Sequence, residues 1–205
     1  TGTSGATISA GIKENNYLGK GIKLATNFNI SEDQIKGSFS VVNPNFRNSD
    51  RSLNTIIEST NSDNLRTRGF KTSRTGFAIG TGFEQYSDLF INLDVSAYYE
   101  KLETSSTASN YKKKQEGDYL ENLLTYKLTL NKLDQNFQPT DGFRVGFEQV
   151  LPIYSDDLSI ENTLNYSKYI SITDNLIFST KFFAKAVNSI DAVSYTHLRA
   201  HETLL

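Results

Sequence analysis

The sequence lacks the residues on which many catalytic and structural sites depend. Its 205 residues include no cysteine, which excludes disulfide frameworks, cysteine-based zinc sites and thiol catalysis within this chain. Its two histidines, His197 and His201, both lie close to the last residue. Away from that end, the Ser-His and Cys-His arrangements of nucleophilic catalysis are therefore impossible.

Long apolar runs and a strong charge of one sign are also missing. No segment approaches the run of roughly 18 apolar residues that a transmembrane helix needs. The net charge of -2 and the isoelectric point near 5.7 do not indicate nucleic-acid binding.

The chain is rich in aromatic residues, with 11 tyrosines and 13 phenylalanines. Disordered segments usually lack such residues, so the chain is predicted to fold. A hydrophobic content of 37% and a mean hydropathy of -0.43 are low for a compact globule. They are compatible with a transmembrane β-barrel, because lipid-facing and lumen-facing residues alternate there and the hydropathy averages out.

Alternation with a period of two is clearest in residues 119–153. One parity of the first half is apolar, at Leu120, Leu124, Tyr126, Leu128 and Leu130, and the other is mostly polar, at Glu121, Thr125, Lys127, Thr129 and Asn131. The second half alternates in the same way from Phe143 to Ile153. This pattern predicts two strands with one apolar and one polar face each, joined by a connection at residues 132–142.

The same pattern recurs along the chain and predicts an all-β fold without a convincing helix. The strand candidates cover residues 6–13, 22–30, 35–41, 52–60, 70–83, 89–99, 120–131, 143–153, 158–170 and 176–185. Polar segments separate them, including residues 61–68 and a longer linker at 103–117 that carries Lys112-Lys113-Lys114, which we interpret as solvated loop charge. The fold class is thus an antiparallel up-and-down meander of about ten strands.

The lengths of the connections give a first indication of the environment. The fourth and sixth connections are expected to be the longest, which puts both at the same end of a meander, as in outer-membrane barrels. Aromatic residues near the strand ends suit interfacial girdles. A soluble β-sandwich or barrel that uses these aromatics as core is the alternative, because alternation does not tell which solvent meets the apolar face.

Three motifs decide between these alternatives by resemblance. The first contains Asn16, Tyr17, Leu18, Gly19 and Gly21; the second contains Asn43, Pro44 and Phe46; the third contains Asp134, Pro139, Thr140 and Gly142. In order and spacing they resemble the N-[FYW]-L-G-x-G, T-[DEN]-P-Y-F and K-L-D-x-x-x-x-P-T-D-G turns of BamA-type outer-membrane assembly factors, of the bacterial surface antigen superfamily. Asn45 departs from the family pattern, which usually has tyrosine there.

The resemblance covers about residues 1–191 and implies a partial barrel domain. Such barrels have sixteen strands, so the ten strands are expected to be the second to the eleventh, in an incomplete, open sheet, with residues 1–3 ending the first. The chain starts without a methionine or a signal segment, and we expect it to be an internal piece of a longer protein that also carries periplasmic POTRA domains. The loop with the family's R-G-F motif would follow Asp191.

The function that the resemblance implies is physical rather than enzymatic. The parent protein is expected to fold and insert β-barrel proteins into the outer membrane of a Gram-negative bacterium, without cofactor, metal, catalytic residue or nucleic acid. The implied partners are the lipid bilayer, unfolded outer-membrane proteins and, through the POTRA domains, assembly lipoproteins and periplasmic chaperones. The alternatives are a related autotransporter-assembly or two-partner-secretion transporter, and an unrelated outer-membrane pore or adhesin.

The segment 192–205 is interpreted as a non-biological tail. Residues 193–203 resemble a reading frame of the transposase adapter used for short-read sequencing libraries. The spacing of His197 and His201 fits a metal pair on a helix, but both histidines lie inside that resemblance. Two further motif matches are set aside. Ser62-Asp63-Asn64 matches a β-lactamase tripeptide by chance, since it lacks the accompanying S-x-x-K motif and lies in a polar loop. Gly76, Gly80 and Gly82 are not a phosphate loop, since they lie within a strand, where they would relieve crowding.

Overall fold

The computed structural model describes residues 6–155, 158–173 and 176–190. Its strands are β1 (Ile8–Tyr17), β2 (Ile22–Ile30), β3 (Gln34–Asn43), β4 (Ser52–Asn64), β5 (Phe70–Tyr86), β6 (Leu89–Thr104), β7 (Gly117–Leu133), β8 (Gly142–Ser155), β9 (Ser159–Thr173) and β10 (Leu176–Ser189). A 3₁₀ turn at Phe46–Asn48 and a short helix α1 (Asn110–Lys114) complete the elements. The expected end of a first strand at residues 1–3 and the tail 192–205 lie outside the described residues.

The strands form one sheet in the order of the sequence, from β1 to β10. The pairs β1–β2, β2–β3, β3–β4, β8–β9 and β9–β10 are antiparallel. No pairing of β1 with β10 occurs within the part of the chain that the structure describes, so the sheet is open in its strand order. The predicted ten-stranded up-and-down meander is confirmed.

The chain divides into two compact units. Of the described residues, the first unit holds 6–80, 95–122 and 154–155, and the second holds 81–94, 123–153, 158–173 and 176–190. In the first unit the register of β2 and β3 pairs Phe28 with Gly37. A side chain on Gly37 would meet the Phe28 ring at 3.1 Å, so the glycine leaves room for the aromatic ring of the neighbouring strand.

The apolar faces of the strands are exposed in each unit. In the first unit Ile57 is 53% exposed and Phe77 is 50% exposed; in the second, Phe182 is 54% exposed. By contrast, the buried apolar side chains among the described residues are Tyr98, Leu102 and Ala108. A soluble sandwich needs its apolar residues inside, so this distribution favours the membrane interpretation.

The prediction that the fourth connection is among the longest was wrong. Strand β4 continues to Asn64, which leaves residues 65–69 as the connection, shorter than those at residues 44–51 and 134–141. The extra strand residues pair with β3, since Gln34 lies opposite Ser62 and the Asp63 amide donates to the Asp33 carbonyl at 2.7 Å. Polar composition indicated a loop there, but a neighbouring strand supplies the backbone partners.

The expectation of no helix was also wrong at one place. Within the linker, Ser109 caps the five-residue helix α1 by accepting a hydrogen bond from the Lys112 amide, as serine commonly does at a helix N-terminus. No helix in the described part of the chain is long and apolar enough to span a membrane.

Candidate functional site

The first of the three turn motifs closes the β1–β2 hairpin. The Asn16 side-chain oxygen accepts a hydrogen bond from the Gly21 amide at 2.7 Å, and its carbonyl accepts one from Gly19 at 3.0 Å. Gly19 and Gly21 have φ angles of +68° and +66°, in the left-handed region that glycine adopts without strain. Leu18 shares this conformation at φ 55° and is 72% exposed. Tyr17, the last residue of β1, is also exposed.

The second motif leads from β3 into the 3₁₀ turn. The Asn43 side chain accepts a hydrogen bond from the Asn45 amide at 3.2 Å, the local bond by which asparagine initiates turns. Pro44 follows Asn43. The Phe46 amide donates a hydrogen bond to the Arg51 carbonyl at 2.8 Å, which closes the connection between β3 and β4. The Arg47 guanidinium lies 5.4 Å from the centroid of the Phe46 ring.

The third motif closes the β7–β8 hairpin in the second unit with several side-chain hydrogen bonds. Asp134 accepts hydrogen bonds from the Thr140 hydroxyl at 2.6 Å and from the Thr140 amide at 3.1 Å. The hydrogen bond from the Thr140 hydroxyl is the main reason why the pKa of the Asp134 carboxyl is lowered, and backbone amides of the turn add to it. Gly142 has φ +98°, and a side chain on it would collide with the Lys132 carbonyl and lie 3.0 Å from the Leu133 Cα. Pro139 stands directly before Thr140.

The turn between β5 and β6, at residues 87–88, is bonded to the end of β7. The Asn131 amide donates to the Asp88 carbonyl at 2.9 Å, and the Lys132 ammonium forms an ion pair with the Asp88 carboxylate. The hydrogen bond from Lys132 lowers the pKa of Asp88. The Asp88 turn is therefore bound to the strand that leads into the third motif.

The polar face of the first unit carries a cluster around Arg74. Its guanidinium lies 3.2 Å from Glu121, 3.8 Å from Glu100 and 4.0 Å from Glu58. It also stacks 3.7 Å from the centroid of the Tyr98 ring, a close cation–π geometry. No group of three or more potential metal ligands that could hold an ion was found among the described residues. The cluster joins polar side chains of β4, β5, β6 and β7.

Gly76 makes room for this cluster. A side chain there would collide with the Ala97 carbonyl and reach 2.5 Å from the Tyr98 ring, so any residue other than glycine would displace Tyr98. The expectation that glycines of this strand relieve crowding is confirmed for Gly76.

The second unit also has an apolar and a polar parity, and a row of polar side chains lies on its apolar parity. The polar face holds the ion pairs Lys127–Glu148 at 3.3 Å and Lys185–Glu161 at 2.7 Å. On the apolar parity of β7, the Tyr126 hydroxyl donates to Gln149 at 2.9 Å, and the Gln149 amide donates to Asn162. This polar row satisfies its own hydrogen bonds, which lowers the cost of placing it on an apolar face.

Sequence reasoning located the turns but missed the Arg74 cluster and the polar row. The turn residues are close in sequence, whereas Arg74 and Glu121 are 47 positions apart. The usable signal was that Arg74, Tyr98 and Glu100 all lie at even positions, opposite in parity to the exposed Phe77 and Tyr99.

Comparison with known protein families gives one match over most of the chain. The family model described as the Omp85 superfamily domain matches residues 16–202. The match extends over residues 192–202, which belong to the segment that the sequence analysis interprets as a non-biological tail.

A solved structure, BamA from Haemophilus ducreyi lacking POTRA domains 1-3, is similar in fold. The likeness has a TM-score of 0.74 at 22% sequence identity. It covers 91% of this chain and 39% of that chain, so this chain spans about two fifths of the length of the solved protein.

Proposed function

Because the chain belongs to the Omp85 superfamily, we propose that it is part of an outer-membrane protein that folds and inserts β-barrel proteins. The parent protein acts in the outer membrane of a Gram-negative bacterium. Its activity is non-enzymatic, as the family resemblance implies, and it needs no cofactor or nucleotide.

The observation that carries this proposal is the exposure of the apolar strand faces in both units. Residues such as Phe77, Tyr99 and Phe182 are about half exposed, while the opposite faces hold ion pairs around Arg74 and between Lys127 and Glu148. A sheet with one apolar and one polar face suits a barrel wall between hydrocarbon and an aqueous lumen. The lipid bilayer is therefore the first partner of this chain.

The proposed mechanism uses backbone hydrogen bonding at a strand edge. A weakly paired seam between the first and last strands of the whole barrel opens, and its free edge templates a strand of an unfolded outer-membrane protein. In this scheme β1 is the second strand of the barrel and supports the strand at the seam. Assembly lipoproteins and periplasmic chaperones deliver the substrate through POTRA domains of the parent protein.

The residues of the three turn motifs have a structural role in this proposal. They fix the strand connections on the periplasmic side and take no part in chemistry. They are Asn16, Tyr17, Leu18, Gly19, Gly21, Asn43, Pro44, Phe46, Asp134, Pro139, Thr140 and Gly142. The barrel domain extends to residue 191, and residues 192–205 form a non-biological tail.

Reconstitution of the parent protein tests the proposal. Proteoliposomes that contain it should accelerate the folding of an added urea-unfolded outer-membrane protein, measured as heat-modifiable migration and protease resistance over time. Empty liposomes and liposomes with an unrelated porin are the controls. Folding no faster than in the controls contradicts the proposal; release of small solutes without such acceleration would instead indicate a diffusion pore.

A further inference from the structure

Two connections of the first unit pack into a single folded body. These are residues 65–69, between β4 and β5, and residues 105–116, between β6 and β7. The Ser105 amide donates to the Gly69 carbonyl at 2.7 Å. A side chain on Gly69, whose φ is +77°, would come within 2.5 Å of the Ala108 amide, and Ala108 is only 6% exposed. The contact leaves no space between the two segments.

Helix α1 is held against this body through its lysines and its cap. The Lys112 ammonium lies 5.2 Å from the centroid of the Phe70 ring, and the Lys113 ammonium donates to the Ser106 carbonyl at 2.7 Å. At the far end of the linker, the Tyr119 hydroxyl donates to the Gln115 carbonyl at 2.6 Å. The linker is thus an ordered structure rather than a solvated coil.

This arrangement places five cations on two adjoining segments. We call them the basic cap: Arg66, Arg68, Lys112, Lys113 and Lys114. Arg66, Arg68, Lys113 and Lys114 are exposed, and Lys112 is partly exposed. In the described part of the chain, none of the five forms an ion pair within 4.0 Å.

The acidic residues near the basic cap are engaged elsewhere. Glu103 forms an ion pair with Lys101 at 2.7 Å, and Glu116 accepts hydrogen bonds from the Thr104 hydroxyl and amide. Asp63 accepts a hydrogen bond from the Leu65 amide at 3.1 Å. The hydrogen bonds of Asp63 and Glu116 leave their negative charges in place, but the five cations of the cap outnumber these two carboxylates, so the local field is positive and attracts anions.

The position of the basic cap relative to the apolar strand faces indicates which kind of anion it meets. The strands that lead away from it, β5 and β6, carry the exposed apolar residues Phe77, Val95 and Tyr99. If these residues contact hydrocarbon, the cap lies beyond them, at the level of lipid headgroups. Tyr111, in helix α1, is 66% exposed, and tyrosine is enriched at that level.

We propose that the basic cap binds the phosphate groups of phosphorylated glycolipids in the outer leaflet of the outer membrane. The inference rests on the proposed function for its orientation, since the cap is at the end of the first unit opposite to its two turn motifs. The arginine guanidinium matches two phosphate oxygens at once, and the lysines add point charges. The bound lipid anchors the two connections at the rim of the barrel.

The test measures lipid binding to the full-length parent protein in detergent by native mass spectrometry. The probes are bis-phosphorylated lipid A and the same lipid with its phosphates removed. The variant Arg66→Gln/Arg68→Gln/Lys112→Gln/Lys114→Gln removes four cations and keeps Lys113, which bonds Ser106. A control variant removes four exposed cations of the same unit away from the cap: Lys13→Gln, Lys20→Gln, Lys23→Gln and Arg47→Gln.

Wild type and the control variant should bind the phosphorylated lipid alike. Each cation near an anionic lipid contributes a factor of about five, so removing four should weaken binding by about two to three orders of magnitude. The dephosphorylated lipid should bind wild type weakly, and Lys112→Arg/Lys114→Arg should bind like wild type. Heat-modifiable migration verifies that each variant is folded.

Three results would overturn the inference. They are equal binding by the fourfold variant and wild type, equal binding of the two lipids, and complete displacement by millimolar inorganic phosphate, which would indicate a site for the free ion. Assembly activity in glycolipid-free phosphatidylcholine liposomes should be unchanged in the fourfold variant. A failure of lipid binding with intact assembly activity therefore refutes only this inference, and the reverse result refutes only the proposed function.

Discussion

Gly142 occupies a position in the third turn that other residue types cannot take without displacing their neighbours. Its φ of +98° lies in the region that disfavours side chains, and a Cβ would collide with the Lys132 carbonyl. Both constraints arise within the hairpin itself. The glycine therefore fixes how β7 passes into β8.

Replacing Gly142 with valine should lower assembly of the parent barrel, because a β-branched residue adds strain and a steric clash at once. The folded fraction is measured by heat-modifiable migration after refolding into liposomes. Gly146→Ala is the matched control in the same strand, since its Cβ would make an ordinary 3.8 Å contact with Asn165. Loss of one class of substrate with normal folding would argue for a recognition role instead.

Asp134 makes the stability of the third turn motif depend on pH. Hydrogen bonds from Thr140 lower its pKa in the folded state below the ordinary value of 3.8, so its stabilisation is fully present above that value and is lost as the pH falls through the folded-state pKa. The urea midpoint of wild type should exceed that of Thr140→Val near pH 6, and the difference should shrink in more acidic buffers. A difference that is constant from pH 6 to pH 2 would contradict this role of Asp134.

The stability of the strands, unlike that of the turns, depends on which strand face meets hydrocarbon and which meets water. In β7, Leu128 lies on the exposed apolar face at 37% exposure, and Lys127 lies on the polar face in an ion pair with Glu148. A charge on the first face meets hydrocarbon, whereas a charge on the second meets water or a counter-charge.

Leu128→Arg should therefore destabilise the intact barrel by about 2–4 kcal/mol, the cost of arginine at mid-membrane. Thr125→Arg, on the polar parity of the same strand, should cost much less. Both are measured by reversible unfolding in urea with the barrel in liposomes. Equal costs for the two variants would refute the membrane assignment of the faces.

The strands were predictable from the sequence because a period of two is a local signal. The alternation of Leu124, Tyr126 and Leu128 is visible without a partner strand. The strand residues Asn61 and Ser62 were not predictable, since only pairing with β3 makes these polar residues extended. Helix α1 and its contact with Gly69 depend equally on a segment that is distant in sequence.

In the candidate site, too, the features that are local in sequence were predictable and those that join distant segments were not. The bonds of Asp134 to Thr140 lie within one turn, so a short motif carries them. The Arg74 cluster gathers residues from four strands, and no local pattern states that Glu58 and Glu121 meet at one guanidinium. The basic cap likewise requires two connections to pack together before its charge becomes a surface feature.

For the whole molecule, the strand order leaves β1 and β10 as the edges of the sheet. Each unpaired backbone group in hydrocarbon costs several kcal/mol, and in the proposed parent barrel these two strands pair with other strands rather than with each other. We therefore expect this chain, expressed alone and refolded into detergent micelles, to yield no monomeric, heat-modifiable barrel. Amide exchange that protects β1 and β10 as strongly as β7 would show that a smaller closed barrel forms.

The orientation of the strand faces in the membrane is the claim on which the proposed function depends. The chain has no cysteine, so single spin-labelled cysteines can be introduced into the parent protein, with cysteines elsewhere replaced by serine. Three pairs of adjacent positions test both faces: Tyr99 and Glu100, Lys127 and Leu128, and Lys181 and Phe182.

Power-saturation electron paramagnetic resonance of these variants in bilayers is the most direct measurement. Labels at Tyr99, Leu128 and Phe182 should collide mainly with membrane-dissolved oxygen, and labels at the other three positions should collide mainly with a water-soluble nickel chelate. Equal access of the chelate to all six positions, or the opposite alternation, would contradict the membrane-spanning sheet and with it the proposed function.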